Sequence, residues 1–272
     1  MNNLPKLLAV LVNYGDEQLE FLKKVVKELK SFKKFDVTII VNSNIELNII
    51  GIDEVNVFVL NDYQLLPLTC RKVIWENKDK FDLFVYGEND HLFLEKHIEK
   101  HIEYSNILPK NRISGLIQYE ENGEGYHYPA YHASFDWDFN SVEEYNGKKF
   151  AHFSNIHQAS FILTKKQLNL ISKKINFEEL YIDPENKLIN KLIRKIKISL
   201  GFKTERLKIY SVKCKVNTDI YKYGGMKKMI CISEFEDNLI HHLPNLYIEG
   251  KSGRNKLSSD SNRMKEALDK LM

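Results

Sequence analysis

The chain has 272 residues, 43% hydrophobic and 28% charged, with 40 basic against 37 acidic residues and a formal net charge of +3. This is the composition of a soluble globular protein large enough for one sizeable α/β domain, and the near balance of charge excludes a generally basic nucleic-acid binder. Cys70, Cys214 and Cys231 stand far apart with no C-x-x-C or Cys/His pattern, and their odd number and spacing predict reduced, mostly buried thiols in a reducing compartment.

Leu7–Val12 is an unbroken apolar run, the pattern of a strand covered on both faces. It is too short for a secretory h-region or a membrane span, and no other window reaches ~18 apolar residues, so a cytoplasmic location is expected. Asn13-Tyr14-Gly15 ends the strand, and Asp16 can cap a helix whose Leu22, Val25, Val26, Leu29 and Phe32 share one face. Val37–Val41 is a second strand, stopped by Asn42-Ser43-Asn44, and Val55–Leu60 a third, stopped by Asn61-Asp62. A helix over Leu65–Asn77 turns Leu66, Cys70, Val73 and Ile74 inward, and Phe81–Tyr86 is a fourth strand. The order β-α-β-β-α-β predicts an α/β fold: a mixed, mostly parallel sheet flanked by helices, with a crevice at the C-terminal ends of the strands.

After Leu94 the pattern changes. A helix is expected at Glu95–Ile107, a strand at Ser114–Tyr119, and an aromatic-rich structured insertion over 120–153 that lines a surface. A strand at Ala159–Leu163, a helix at Lys165–Lys174 and a loop at Ile175–Glu185 follow. Asn186–Leu200 reads as an amphipathic helix with Leu188, Ile189, Leu192, Ile193 and Ile196 on its apolar face, and Leu207–Val216 as a strand. One domain is expected over 1–250, with Lys251–Met272 as a polar, weakly helical tail.

The chemistry-bearing signal is Phe81-Asp82-Leu83-Phe84-Val85-Tyr86-Gly87-Glu88-Asn89-Asp90. A hydrophobic strand delivers two carboxylates, one residue apart, to its C-terminal end. Such oxygen ligands suit Mg²⁺ or Mn²⁺, which takes its remaining ligands from water and substrate phosphates. The alternative is a solvated strand-to-helix turn with Asp90 as a cap. In position and chemistry this motif resembles the acidic D-x-D signature of the GT-A glycosyltransferases, with Glu in first place.

That resemblance implies a nucleotide-binding half over 1–94, an acceptor half over 95–250, and a metal-dependent transfer of sugar from a nucleoside-diphosphate sugar to a glycan, lipid-linked or protein acceptor. It implies metal ligation by Asp90 and Glu88, with His242 (or His241) returning late in the chain as a further ligand, and nucleotide contacts from Asn13, Tyr14, Asn42, Ser43, Arg71, Glu88 and Asn89. The acid that normally reads the base after strand two is absent here, so the base is not specified. Tyr14 either stacks on a base or is a surface tyrosine, and Arg71 either meets the nucleotide or forms an ion pair. His157 and Gln158 are either acceptor-side contacts or polar residues at a strand edge. Asp183 and Glu185 flank Pro184 and read either as a general base or as a helix cap.

The basic residues Lys187, Lys191, Arg194, Lys195, Lys197, Lys203, Arg206 and Lys208 read either as the solvated side of a helix whose apolar face is buried or as peripheral contact of 187–208 with an anionic membrane. A nucleotidyltransferase is disfavoured because Asn13-Tyr14-Gly15-Asp16 lacks a glycine-rich phosphate loop. A non-catalytic sugar- or partner-binding domain on a degenerate transferase fold is the remaining alternative.

Overall fold

The computed structural model describes residues 4–129, 137–182, 211–248, 258–259 and 261–272, together with 192, 193, 196, 199 and 200. A central sheet is built from β1 (Lys6–Asn13), β2 (Asp36–Ser43), β3 (Glu54–Val57), β4 (Leu83–Glu88) and a later strand, β11 (Ser160–Thr164), in the order β11-β4-β1-β2-β3. The first four run parallel, and β11 closes the β4 edge antiparallel.

Pleating sends alternate residues of β1 to opposite layers. Leu7, Ala9 and Leu11 pack under α1 (Leu19–Lys30) and α3 (Glu95–Ile107). Leu8, Val10 and Val12 pack under α2 (Leu66–Glu76), α4 (Lys165–Ser172) and α5 (Val212–Lys222). Covering both faces is why this strand shows no polar alternation. Each fully buried Leu or Val contributes roughly 1.5–3 kcal/mol.

Two further mixed sheets extend from this layer. One has the order β6-β12-β10-β9, formed by Arg112–Ser114 (β6), Lys227–Cys231 (β12), Lys148–Phe153 (β10) and Trp137–Tyr145 (β9). The other has the order β14-β8-β7-β13-β5, formed by Ser258–Ser259 (β14), Gly125–Pro129 (β8), Ile117–Asn122 (β7), Leu239–His242 (β13) and His91–Leu92 (β5).

Four expectations are corrected. The proposed strand at Leu207–Val216 is, from Val212 onward, the start of α5; residues 207–210 lie outside the described set. There Val216 and Ile220 recur at helical spacing and point into the core, so the helical period prevails over β-branching. The polar tail ends in a docked helix, α6 (Ser261–Leu271), whose Met264, Ala267 and Leu271 form an apolar stripe that the surrounding charges obscured. The described aromatics of 120–153 largely fill core: Tyr128 and Trp137 pack with Phe153 against that helix, with Trp137 and Phe153 edge to face at 4.8 Å. The third strand stops at Val57, and Phe58 and Leu60 leave the sheet to pack against the α2 layer.

Candidate functional site

The acidic motif lies where β4 ends. Gly87 is required there, because a Cβ atom would sit 2.5 Å from the Phe93 ring that folds back against the strand. The chain turns through Asn89-Asp90 and returns as β5, which pairs antiparallel with β13 so that His91 faces His242. On its other edge β13 runs parallel to β7, with His241 beside Tyr119, and Glu120 follows next to His242. Residues 90, 120 and 242 therefore converge through strand register.

The result is a buried chain of alternating acids and imidazoles. Glu120 Oε1 accepts from His242 Nδ1 at 2.6 Å, and His242 Nε2 lies 3.3 Å from Asp90 Oδ2. Asp90 Oδ1 is 3.1 Å from His91 Nδ1, and the far nitrogen of His91 bonds Gln118 at 2.7 Å. Glu120 is fully buried and also accepts from the backbone N–H groups of Tyr247 and Ile248 at 3.1 and 2.9 Å.

Burial works against ionisation of Asp90, yet the close approach of the His242 and His91 rings outweighs it and holds the carboxyl well below its usual range. Burial likewise opposes charge on His242, but its two carboxylate partners raise it to about 9. The two acids thus favour the charged form of the His242 ring between them.

Three observations bear on cation binding. Glu88, Asp90 and His91 offer ligand atoms within 4.8 Å of one another. Asp90 Oδ1 and His91 Nδ1 are buried and make no aligned hydrogen bond. Among the described residues no lysine or arginine pairs with Glu88, Asp90 or Glu120, and the basic side chains set against Asp90 and Glu120 are histidines. The mixed oxygen and nitrogen donors fit Mn²⁺, with Mg²⁺ the harder alternative. Glu120, on the outer nitrogen of His242, has the position of the carboxylate that orients a metal-ligating histidine.

The strand ends around this cluster are tied together by amides. Asn89 Nδ2 donates to Asn13 Oδ1 at 2.8 Å, and Asn13 donates on to Ser43 Oγ and to the Gly15 carbonyl. Asn42, fully buried, bonds Thr69 and Asn56. Asn13, Asn42, Ser43 and Asn89 thus come together as a scaffold beside the acids. Tyr14 projects from the same edge, 62% exposed, its ring 5.3 Å from that of Tyr63.

Other candidates are committed elsewhere. Arg71 is wholly buried; it donates to the Phe177 and Asn176 carbonyls, lies 3.9 Å from Asp219 and stacks on Phe177. Those partners make it a clamp on the 176–177 turn rather than a free anion contact. Gln158 accepts from Leu116 N–H and donates to the Ser160 carbonyl and Tyr221 hydroxyl. His157 lies 3.9 Å from Cys214 Sγ, and burial pushes its pKa down to about 3. His241 stacks on Tyr119 and, by strand alternation, leaves the acid chain to His242. Asp183 and Glu185 lie outside the described residues.

Sequence reasoning missed Glu120, His91 and Gln118. Gln118 and Glu120 are two apart on one strand, hence on one face, a period-2 polar signal hidden by assigning Glu120 to an insertion. A surface cavity of about 470 Å³ lies at the opposite ends of β1 and β2, around Lys6, Lys30 and Asp36. It gathers no acid–imidazole cluster, so charge chemistry rather than hollow size marks the site. No protein-family model matches this chain, and no curated protein matches it.

Proposed function

We propose that this chain is a metal-dependent glycosyltransferase that moves a sugar from a nucleoside-diphosphate sugar to a glycan, lipid-linked or protein acceptor. The observation that carries the reading is the Glu88-Asn89-Asp90 turn at the end of a parallel strand, joined to His91, His242 and Glu120 by strand register. Supporting it are the strand order, which sets the β1 and β2 loops beside the acids, and the likeness of the motif to the GT-A acidic signature.

Asp90, Glu88 and His91 would hold Mn²⁺ or Mg²⁺, with His242 joining once Nε2 gives up its proton. The cation would neutralise the diphosphate leaving group. Glu120 keeps the Nδ1 proton of His242 in place, so that Nε2 is the nitrogen turned toward Asp90. Asn89 and Asn13 lock the turn to the first strand. Tyr14 offers an exposed ring face at the strand edge on which a base can stack.

Release of nucleoside diphosphate from a panel of nucleotide sugars, with Mn²⁺ and with excess chelator, tests this. Turnover is expected only with metal, and Asp90→Asn is expected to lower it at least ~100-fold with the circular-dichroism spectrum unchanged. Undiminished turnover in chelator or in that variant would contradict the reading. Metal-independent binding of free sugars without nucleotide would point instead to a binding module.

A further inference from the structure

The strands that bring His242 and Glu120 together turn their alternate residues to the other face of the same sheet. There His241 of β13 stacks on Tyr119 of β7, with ring centroids 4.9 Å apart and planes 17° apart. Tyr126 of β8, diagonal to Tyr119 in the β7–β8 register, adds a third ring at 4.6 Å. Tyr119 and His241 are half-buried and Tyr126 is 39% exposed, so the row opens to solvent at its β8 end.

Cross-strand pairing of rings stabilises a sheet by itself, but the polar groups around this row go beyond pairing. His241 Nε2 and Asn245 Oδ1 are buried and have no hydrogen-bond partner among the described residues. Asn245 is held beside the row by its own Nδ2, which donates to the Glu121 carbonyl at 2.8 Å. Burial lowers the pKa of His241 and the charge of Glu121 opposes it, so this exposed carboxylate stands near the ring. Between Ser114 and Tyr126 there are three acids, Glu120, Glu121 and Glu124, and no lysine or arginine.

We infer that the Tyr126–Tyr119–His241 row is a glycan-binding surface, separate from the acidic cluster, that holds a neutral oligosaccharide. A pyranose ring offers an apolar C–H face and an edge of hydroxyls, and the row sets aromatic rings beside a carboxylate and two unmatched polar atoms. Both atoms belong to half-buried residues, so a modest turn of either side chain brings them to a sugar hydroxyl. A nucleic acid would also stack on the rings, but it would carry its phosphates onto strands that hold three acids and no lysine or arginine. A second copy across a two-fold axis would set these acids against their own likes. The inference rests on the glycosyl-transfer reading only for the glycan's use as acceptor. Binding itself needs neither donor nor metal, and the two can fail separately.

Titration of the full-length, metal-free protein with maltotriose, cellotriose and chitotriose, followed by NMR of the tyrosine and histidine rings, decides the matter. At least one trisaccharide is expected to shift the Tyr119, Tyr126 and His241 signals together. Tyr126→Ala, at an exposed position, is expected to weaken that binding about 10-fold with the melting temperature unchanged, and Tyr126→Trp to retain it. Asp90→Asn should bind the trisaccharide like wild type, which separates this surface from any loss of transfer.

The inference is overturned by ring signals that no trisaccharide moves, or by a Tyr126→Ala variant that binds as tightly as wild type. It is also overturned by shifts that uridine or guanosine monophosphate produces and the sugars do not, or by a dimer in light scattering that Tyr126→Ala dissociates.

Discussion

His242 and His101 are buried to nearly the same degree, 5% and 3% exposed, yet their pKa values move in opposite directions. His242 sits between the carboxylates of Asp90 and Glu120 and is raised to about 9. His101 sits between the Gln167 amide and the Ser114 hydroxyl, and burial lowers it to about 4. His97 on the same helix is also lowered to about 4 by burial, and Lys228, whose amine meets the Asn155 carbonyl, is lowered to about 7. One region thus keeps its buried groups charged by pairing them; the other neutralises them. A buried ionisable group is in itself weak evidence of function, whereas charges paired at strand ends make a site that a cation can complete.

The sharpest way to separate the two regions is pH, measured on metal-free protein. Because the folded pKa values of His97 and His101 lie below the unfolded value, the unfolded chain binds more protons in acid. Stability should fall as pH drops from about 6.5 to about 4, by on the order of 5 kcal/mol. Asp90, depressed in the fold, adds to the loss at the acid end. His242 acts with the opposite sign: its contribution is complete below about pH 6.5 and is lost as pH rises through about 9. Urea titrations across pH that show no acid limb would break the contrast.

Substitutions sharpen it further. Glu120→Ala removes the buried partner of His242 and the acceptor of the Tyr247 and Ile248 backbone N–H groups, and should cost about 3–5 kcal/mol, with the His242 pKa falling by NMR. A cost under about 1 kcal/mol would mean the pair is not formed. Gly87→Ala, meeting the Phe93 ring, should cost about 1–3 kcal/mol. Gly123→Ala, into open space, should stay within about 0.5 kcal/mol. Opposite in sign is Lys228→Met, which exchanges an amine without a carboxylate partner for an apolar chain of similar volume and should stabilise by about 1 kcal/mol; clear destabilisation in a thermal melt would give Lys228 a role that its neutral surroundings do not.

The central sheet was legible from sequence because its strands are apolar runs buried on both faces and its helices α1 to α4 carry clear stripes. Thr164 and Gln167 even form a reciprocal cap where α4 was expected to begin. The acidic turn was legible because carboxylates follow one of those runs directly. His242 was singled out in the sequence by likeness to GT-A enzymes, and register then sets it beside Asp90. Glu120 was not legible, because its role depends on β13 lying between β5 and β7, a long-range pairing with no local trace. Arg71 and Gln158 were over-read: polar residues near strand ends can serve the scaffold as readily as a ligand, and only their buried partners distinguish the two.

Whether the paired-charge region binds a cation can be read directly by titrating Mn²⁺ into chelator-stripped protein and following free Mn²⁺ by electron paramagnetic resonance. The wild-type chain should take up one ion, Glu120→Gln should weaken uptake about 10-fold, and Asp90→Asn about 100-fold or more. A wild-type chain that leaves the free-ion signal untouched, or an Asp90→Asn variant that binds as tightly, would contradict a cation site at the end of β4.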